Sequence, residues 1–349
     1  MQQQITFPSG TVNFYFDRSV NDLKNLYDFS NVIFITNDHI ARLYPQYFDG
    51  TRTITLPAGE HTKDLETVGR LVKELILLKA TRKTVLVGVG GGVITDITGF
   101  VASVYMRGIR FGFIPTTLLG MVDAAIGGKN GVNQDFHKNI IGTFSHPTFI
   151  LIDPTFLSTL PGKEWSNGFA EIIKYAFLFD KELYATLSEN YLPFYKEDLA
   201  AIKPLIEKCV ALKVKIVAED EKEKHTRKLL NFGHTAGHAI EKLYELPHGY
   251  AVGIGMIIAC NISEKISGLD HNATVSLIKI LEQYYLPTYQ KFNVEKVMEI
   301  LTMDKKRNKD NIDFILLGKE GIGNAFIHPL NFDIIQNTLT EYASYSVSR

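Results

Sequence analysis

The chain lacks most of the marks of a secreted, membrane-bound or nucleic-acid-binding protein. Its 349 residues include two cysteines, Cys209 and Cys260. Both lie in apolar helical surroundings, so they read as core residues rather than a disulfide, and a reducing, cytoplasmic compartment is expected. Neither sign of charge is in excess: 37 Lys and Arg stand against 38 Asp and Glu, for a net charge of −1. That balance gives no general attraction to nucleic acid or to an anionic membrane. The longest apolar run, near Ala251–Cys260, falls far short of the roughly 20 residues a membrane helix needs. The opening MQQQITFPSG lacks the basic-then-apolar layout of a signal peptide. Repeats and low-complexity tracts are absent too.

What is present is apolar content for large cores. At 45% hydrophobic over 349 residues, the chain exceeds one typical core and predicts two domains. Residues 1–152 alternate strand and helix patterns. Val32–Thr36, Val85–Val89, Arg110–Ile114 and Phe149–Ile152 read as buried strands, with helical spacing over Asp64–Leu78 and Val93–Tyr105. Such alternation predicts an α/β domain with a parallel, Rossmann-like sheet, whose ligands bind at the carboxyl ends of the strands. Residues 153–349 predict a mostly α-helical domain, with helical periods over Gly168–Phe179, Ala251–Ile266 and Val294–Met303. The charged stretch Glu219–Lys228 reads as a solvated turn, with possible function confined to its end.

Gly88–Asp96 follows a strand and opens a helix. Glycine admits close backbone approach, and a helix start offers free N–H groups and a positive dipole end, so phosphate or pyrophosphate is the natural guest. The G-x-G-x-x-G spacing fails at Val93, and no Gly-Lys-Ser/Thr follows, so this is neither a standard dinucleotide fingerprint nor a P-loop. Asp96 suits a helix start or a cofactor contact. Thr116 and Thr117 suit a helix cap or a ligand.

In the second half, His234 and His238 share one helical face, with His248 in a loop ten residues on. Gly233, Ala236, Gly237 and Ala239 surround them and leave room for a bound group. Three imidazoles at this density point to zinc. Thr235 rules out the H-E-x-x-H protease motif. Glu171 and Glu241 are both candidate carboxylate ligands, and spacing does not choose between them. Lys174 sits on the face of Glu171 in a segment apolar all round, so both charges are expected to be buried and to need partners. Cations and amides flanked by small residues complete the set: Arg107, Lys129, Lys138 and Asn139, then Lys213, Arg227 and Asn231.

Taken together, Gly90–Phe100, Arg107–Phe111, Pro115–Leu119, Val122–Asn133, Ala170–Tyr175 and Leu230–Glu241 resemble the 3-dehydroquinate synthase family, one of the sugar-phosphate cyclases. The order and spacing agree from about Leu56 to Leu317. The resemblance implies NAD and one divalent metal, zinc or cobalt, as cofactors, with Glu171, His234 and His248 as metal ligands. It implies catalytic or substrate roles for Asp123, Lys129, Lys174, Lys213, Arg227, Asn231 and His238. Phosphate would be held by Arg107, Lys129, Lys138, Asn139, and Lys305 or Lys306, with Arg107 reaching the site of a second subunit in a homodimer. NAD contacts would fall on Gly59, Glu60 and Lys63, on Gly92, Val93, Ile94, Thr95 and Asp96, on Thr116 and Thr117, on Lys129 and Lys138, and on Phe156, Leu157, Ser158 and Thr159. The chain departs from the family's usual pattern at Thr95, at Ala124-Ala125 and at Asn130-Gly131.

The implied reaction is conversion of 3-deoxy-D-arabino-heptulosonate 7-phosphate to 3-dehydroquinate and phosphate. It runs by transient oxidation, elimination, reduction and an internal aldol step, and belongs to the shikimate pathway of aromatic amino acid biosynthesis. Its small-molecule partner is a sugar-acid phosphate. A related sugar-phosphate cyclase and a metal-dependent NAD alcohol dehydrogenase are the alternatives. The first would act on substrates without the carboxylate that Arg227 suits; the second would release NADH in bulk.

Overall fold

A computed structural model describes residues 2–135, 137–303 and 311–344. The chain forms two compact units, Met1–Leu160 with Ile202–Lys222, and Pro161–Ala201 with Glu223–Arg349. The first unit contains strands β1 (Gln2–Phe7), β2 (Gly10–Phe16) and β3 (Val32–Asn37), helix α1 (Asp38–Leu43), β4 (Thr53–Leu56), α2 (Leu65–Leu77), β5 (Val85–Gly90), α3 (Gly92–Val104), β6 (Arg110–Pro115), β7 (Lys129–Gln134), β8 (His137–Phe144) and β9 (Phe149–Ile152). Seven of these strands make one sheet in the order β1-β2-β9-β6-β5-β3-β4. All neighbours are parallel except β1 and β2.

The central strands are buried along their whole length, which is why their sequences are unbroken apolar runs rather than alternations. The chain goes from β3 outward to β4, then crosses to β5 on the other side of β3. That reversal is the kind of point where open α/β sheets bind ligands, beyond the carboxyl ends of the strands. The glycine turn leaves β5 there. β7 and β8 form a separate antiparallel hairpin against α3.

The remaining elements are α4 (Gly162–Phe179), α5 (Lys181–Glu189), α6 (Leu192–Glu197), α7 (Leu199–Glu219), α8 (His234–Tyr244), α9 (His248–Ser267), α10 (His271–Gln283), α11 (Val294–Met303), β10 (Asn311–Leu317), β11 (Ala325–Asn331) and α12 (Phe332–Ser344). Most of α7 belongs to the first unit. Among its described residues the second unit is helical apart from the antiparallel β10–β11 pair. In α4 every residue from Trp165 to Leu178 is buried; α9 is nearly as enclosed. Helices that are apolar on every side are core helices. Among the described residues no helix is long and apolar enough to cross a membrane. Cys209 and Cys260 are both buried, and no disulfide joins them.

Glycines set the contact between α8 and α9. A Cβ on Gly255 would lie 1.9 Å from the Gly233 carbonyl oxygen, and one on Gly237 would lie 2.8 Å from that of Ala251. The small residues beside the histidines therefore serve close helix packing. The charged stretch after α7 also differs from a solvated turn: Asp220, Glu221 and Arg227 are buried, and Glu221 accepts hydrogen bonds from Ser9 and from His146, the latter at 2.7 Å.

Candidate active site

In the first unit, α3 begins at the glycine turn, and no side chain caps it. A Cβ on Gly90 would lie 2.6 Å from Ile94 Cγ1, so the turn from strand to helix has no space for a larger residue there. Thr95 is buried and its hydroxyl donates to the Gly92 carbonyl at 3.0 Å. Thr117 Oγ1 accepts from the Gly120 N–H at 3.0 Å, the capping role open to it. Thr116 is buried, and its hydroxyl has no partner among the described residues. A buried orphan hydroxyl beside an uncapped helix start and a glycine turn fits a polar ligand at this strand end. Of the segment Phe156–Thr159, Phe156 and Leu157 are buried and Ser158 and Thr159 exposed.

Asp96 is ion-paired with Lys63, whose Nζ also donates to Asn139 Oδ1 at 2.6 Å. Burial raises the Asp96 carboxyl above its usual range, while Lys63 opposes the rise. Gly59 takes a left-handed φ of 126°, and Glu60 beside it is exposed. A π-turn over Gly120–Ala124 presents Asp123. Lys213, buried on α7, donates to the Asp123 carboxylate at 2.8 Å and to its carbonyl at 2.6 Å. Lys129, Lys138 and Asn139 are exposed on the hairpin, and Arg107 is exposed with φ at 67°. Asn130, at a departure from the family pattern, donates to the carbonyls of Gly128 and Ser145 and so braces the turn before Lys129.

The second unit brings the histidines together. Glu171 Oε1 lies 3.2 Å from His248 Nε2 and 3.6 Å from His234 Nε2. One ligand atom from each of these residues falls within 4.8 Å of the others. Assigned from its surroundings, His234 Nδ1 carries the hydrogen and donates to the Phe232 carbonyl at 3.1 Å. Its Nε2 lone pair then faces a carboxylate oxygen, and two acceptors in that relation call for a cation between them. Burial, reinforced by Lys174, holds the His234 imidazole well below its usual pKa, so the ring is neutral. Burial pushes Glu171 upward, yet Lys174 and the two imidazoles outweigh it, and the carboxyl stays well below its usual range. A neutral His234 and an ionised Glu171 are in the states a divalent metal needs, while His248, whose pKa burial lowers but hydrogen bonds to Glu171 and Glu241 raise to about 9, must shed a proton to join them.

Glu171 and Lys174 form an ion pair with 0% and 2% side-chain exposure. Glu241 lies on the other edge of His248, with Oε2 3.3 Å from Nδ1. His238, Glu241 and His248 make a second, more open group. The rings of His234 and His238 lie 5.0 Å apart. Arg227 is buried at the start of a short 3-10 turn that ends at Asn231. Asn231 Nδ2 donates to Glu223 Oε1 at 2.6 Å. Lys305 and Lys306 lie outside the described residues.

Two further residues, Glu223 and Asn133, bond to these positions. Glu223 lies within the charged stretch, and no helical spacing marks its bond to Asn231. Asn133 closes the glycine-rich motif without a charge to mark it.

A parallel α/β unit with this glycine turn, and a helical unit with a two-imidazole, one-carboxylate cluster, are the arrangement that the resemblance to the sugar-phosphate cyclases implies. Family profiles described as 3-dehydroquinate synthase N-terminal and 3-dehydroquinate synthase C-terminal match residues 53–167 and 168–307. The chain is 47% identical over 266 residues to a 3-dehydroquinate synthase of Pyrococcus abyssi, covering 75% of this chain and 77% of that one. Among solved structures, 2-deoxy-scyllo-inosose synthase complexed with carbaglucose-6-phosphate, NAD+ and Co2+ superposes with a TM-score of 0.88. It is 26% identical, over 98% of this chain and 100% of that one. The 2-epi-5-epi-valiolone synthase of Streptomyces hygroscopicus subsp. jinggangensis, with NAD+ and Zn2+ bound, has a TM-score of 0.86. It is 27% identical, over 98% of each chain. The chain belongs to the 3-dehydroquinate synthase family.

Proposed function

We propose that this enzyme converts 3-deoxy-D-arabino-heptulosonate 7-phosphate to 3-dehydroquinate and inorganic phosphate, as a lyase that uses NAD and a divalent metal. The observation that carries the reading is the convergence of Glu171, His234 and His248 on one point in the second unit. The family membership and the NAD+ and metal in the related cyclase structures support it. Glu171, His234 and His248 would hold the metal, zinc by its match to a neutral imidazole and carboxylate set, with cobalt able to use the same ligands. When bound, the metal supplies Lewis acidity toward substrate hydroxyls, and NAD supplies a hydride acceptor that is restored each turnover.

The side chains carry the rest. Glu241 accepts from His248 Nδ1 and so turns Nε2 toward Glu171. Lys174 keeps Glu171 ionised. Arg227, with a planar fork of donors, binds the substrate carboxylate. Lys213 holds Asp123 in place and joins it at the substrate. Lys129, Lys138 and Asn139, exposed on one hairpin, bind phosphate, joined by Lys305 or Lys306. Holding both charged ends of a flexible chain fixes its reacting centre, which is worth several kcal/mol of barrier. His238 and Asn231 manage protons at the hydroxyls, and the exposure of His238 suits exchange with water. The cofactor would lie along Gly59–Lys63, Gly92–Asp96, Thr116-Thr117 and Phe156–Thr159, with Lys129 and Lys138 beside it. The enzyme works in the cytoplasm as a homodimer, with Arg107 extended toward the second subunit's phosphate site.

The test is purified protein with NAD, zinc and the heptulosonate phosphate. Phosphate release with a carbocyclic product, and no accumulation of absorbance near about 340 nm, the nicotinamide band, is expected. Stoichiometric NADH would point instead to a dehydrogenase, and absence of phosphate would refute the reading.

A further inference from the structure

Asn133 makes three hydrogen bonds that join two segments of the first unit. Its backbone N–H donates to the Lys63 carbonyl at 2.7 Å. Its side-chain nitrogen donates to Glu60 Oε1 at 2.9 Å. Its side-chain oxygen accepts from the Asn139 N–H at 2.9 Å. The partners fix the amide's orientation, since a carboxylate only accepts and an N–H only donates. Asn139 is held with a left-handed φ of 53°, and its side chain in turn accepts from Lys63 Nζ at 2.6 Å. Lys63 completes the circuit through its ion pair with Asp96, in the first turns of α3.

From this closed network we infer that Asn133 is a positioning residue that couples NAD binding to phosphate binding. The inference rests on the proposed function, which places NAD on the Glu60–Lys63 loop and phosphate on Lys138 and Asn139. Ordering either segment then orders the other through one side chain, so a ligand at one site lowers the ordering cost of its neighbour. The amide chemistry is specific. Aspartate at this position would keep the bond to the Asn139 N–H and set a negative charge against Glu60. Leucine, of similar size, would remove both side-chain bonds.

The measurement is titration calorimetry of NAD into the zinc-loaded full chain, with and without saturating inorganic phosphate. In the parent, phosphate should tighten NAD by a factor of about 10, within the roughly 5–150-fold usual for coupled sites, and NAD should tighten phosphate by the same factor. In Asn133→Leu the factor should fall to within about twofold of unity, with an unchanged melting temperature. In Asn133→Asp, a half-buried and nearly isosteric change, it should fall partway. A purely structural role would weaken both affinities and leave their ratio alone. Parent-like coupling in a folded Asn133→Leu, or in Asn133→Asp should the leucine variant not fold, overturns the inference. So does a parent that binds both ligands without coupling. Failure of the parent to bind NAD at all overturns the proposed function together with it.

Discussion

Replacing Glu171 with leucine isolates the most expensive feature of the second unit. Glu171 is fully buried and Lys174 is 2% exposed, so Glu171→Leu strands an ammonium group in the core. Breaking a buried pair from one side costs about 3–5 kcal/mol, whereas replacing both partners by apolar residues is often neutral or stabilising. For a unit of this size, each kcal/mol shifts the melting temperature by roughly 2–4 °C, so a fall of about 6–20 °C is expected. The comparison is thermal unfolding at neutral pH, in chelator, of the parent, Glu171→Leu and Glu171→Leu/Lys174→Leu. Because the Glu171 carboxyl is held below its usual range, its contribution is present at neutral pH and disappears only as pH falls below that range. The double variant should recover most of the loss. A single variant melting within about 2 °C of the parent, less than one kcal/mol on that scale, or a double variant no better than the single, would refute the reasoning.

Arg227→Ala should lower kcat/KM by about 100-fold or more, from loss of a buried charge-assisted contact, with NAD affinity unchanged in calorimetry; equal losses would remove its carboxylate role. Gly255→Ala forces a Cβ against the Gly233 carbonyl, so α8 must move from α9 and carry His234 away from His248. Zinc affinity by chelator competition should drop at least about tenfold, with overpacking costing about 1–3 kcal/mol of stability, and parent-like zinc binding would contradict this. In protein stripped of metal, burial lowers the His248 pKa, but hydrogen bonds to Glu171 and Glu241 outweigh it and raise the pKa to about 9. Below that pH zinc must displace a proton, so affinity should rise about tenfold per pH unit between 7 and 8.5, with close to one proton released in buffers of differing ionisation enthalpy. Flat affinity over that range would show that His248 does not bind the metal.

The central sheet was legible because β3, β5, β6 and β9 are enclosed by other elements and leave unbroken apolar runs. β1 was not, since most of its residues are exposed and an edge strand has no such run. The hairpin of β7 and β8 reads as a glycine-rich anion loop, because its pairing depends on a bulge near Val132 and a left-handed Asn139, neither of which has a hydrophobic period. Nothing in the composition of α7 marks residue 202, where the chain returns to the first unit; an amphipathic helix looks alike whichever core it covers. The burial of Glu171 and Lys174 was foreseeable from the apolar residues on every side of them. Spacing does not rank Glu171 against Glu241. Both meet His248, at opposite nitrogens, and sequence spacing carries no information on which ring edge a carboxylate will face.

Crystals grown with zinc and measured at the metal's absorption edge test the account most directly. One anomalous peak is expected about 2.0–2.2 Å from Glu171 Oε1, His234 Nε2 and His248 Nε2 together, with Glu241 on the far nitrogen of His248. A peak bound by His238 and Glu241 in place of Glu171 and His234, or no peak at these residues in active protein, would contradict it.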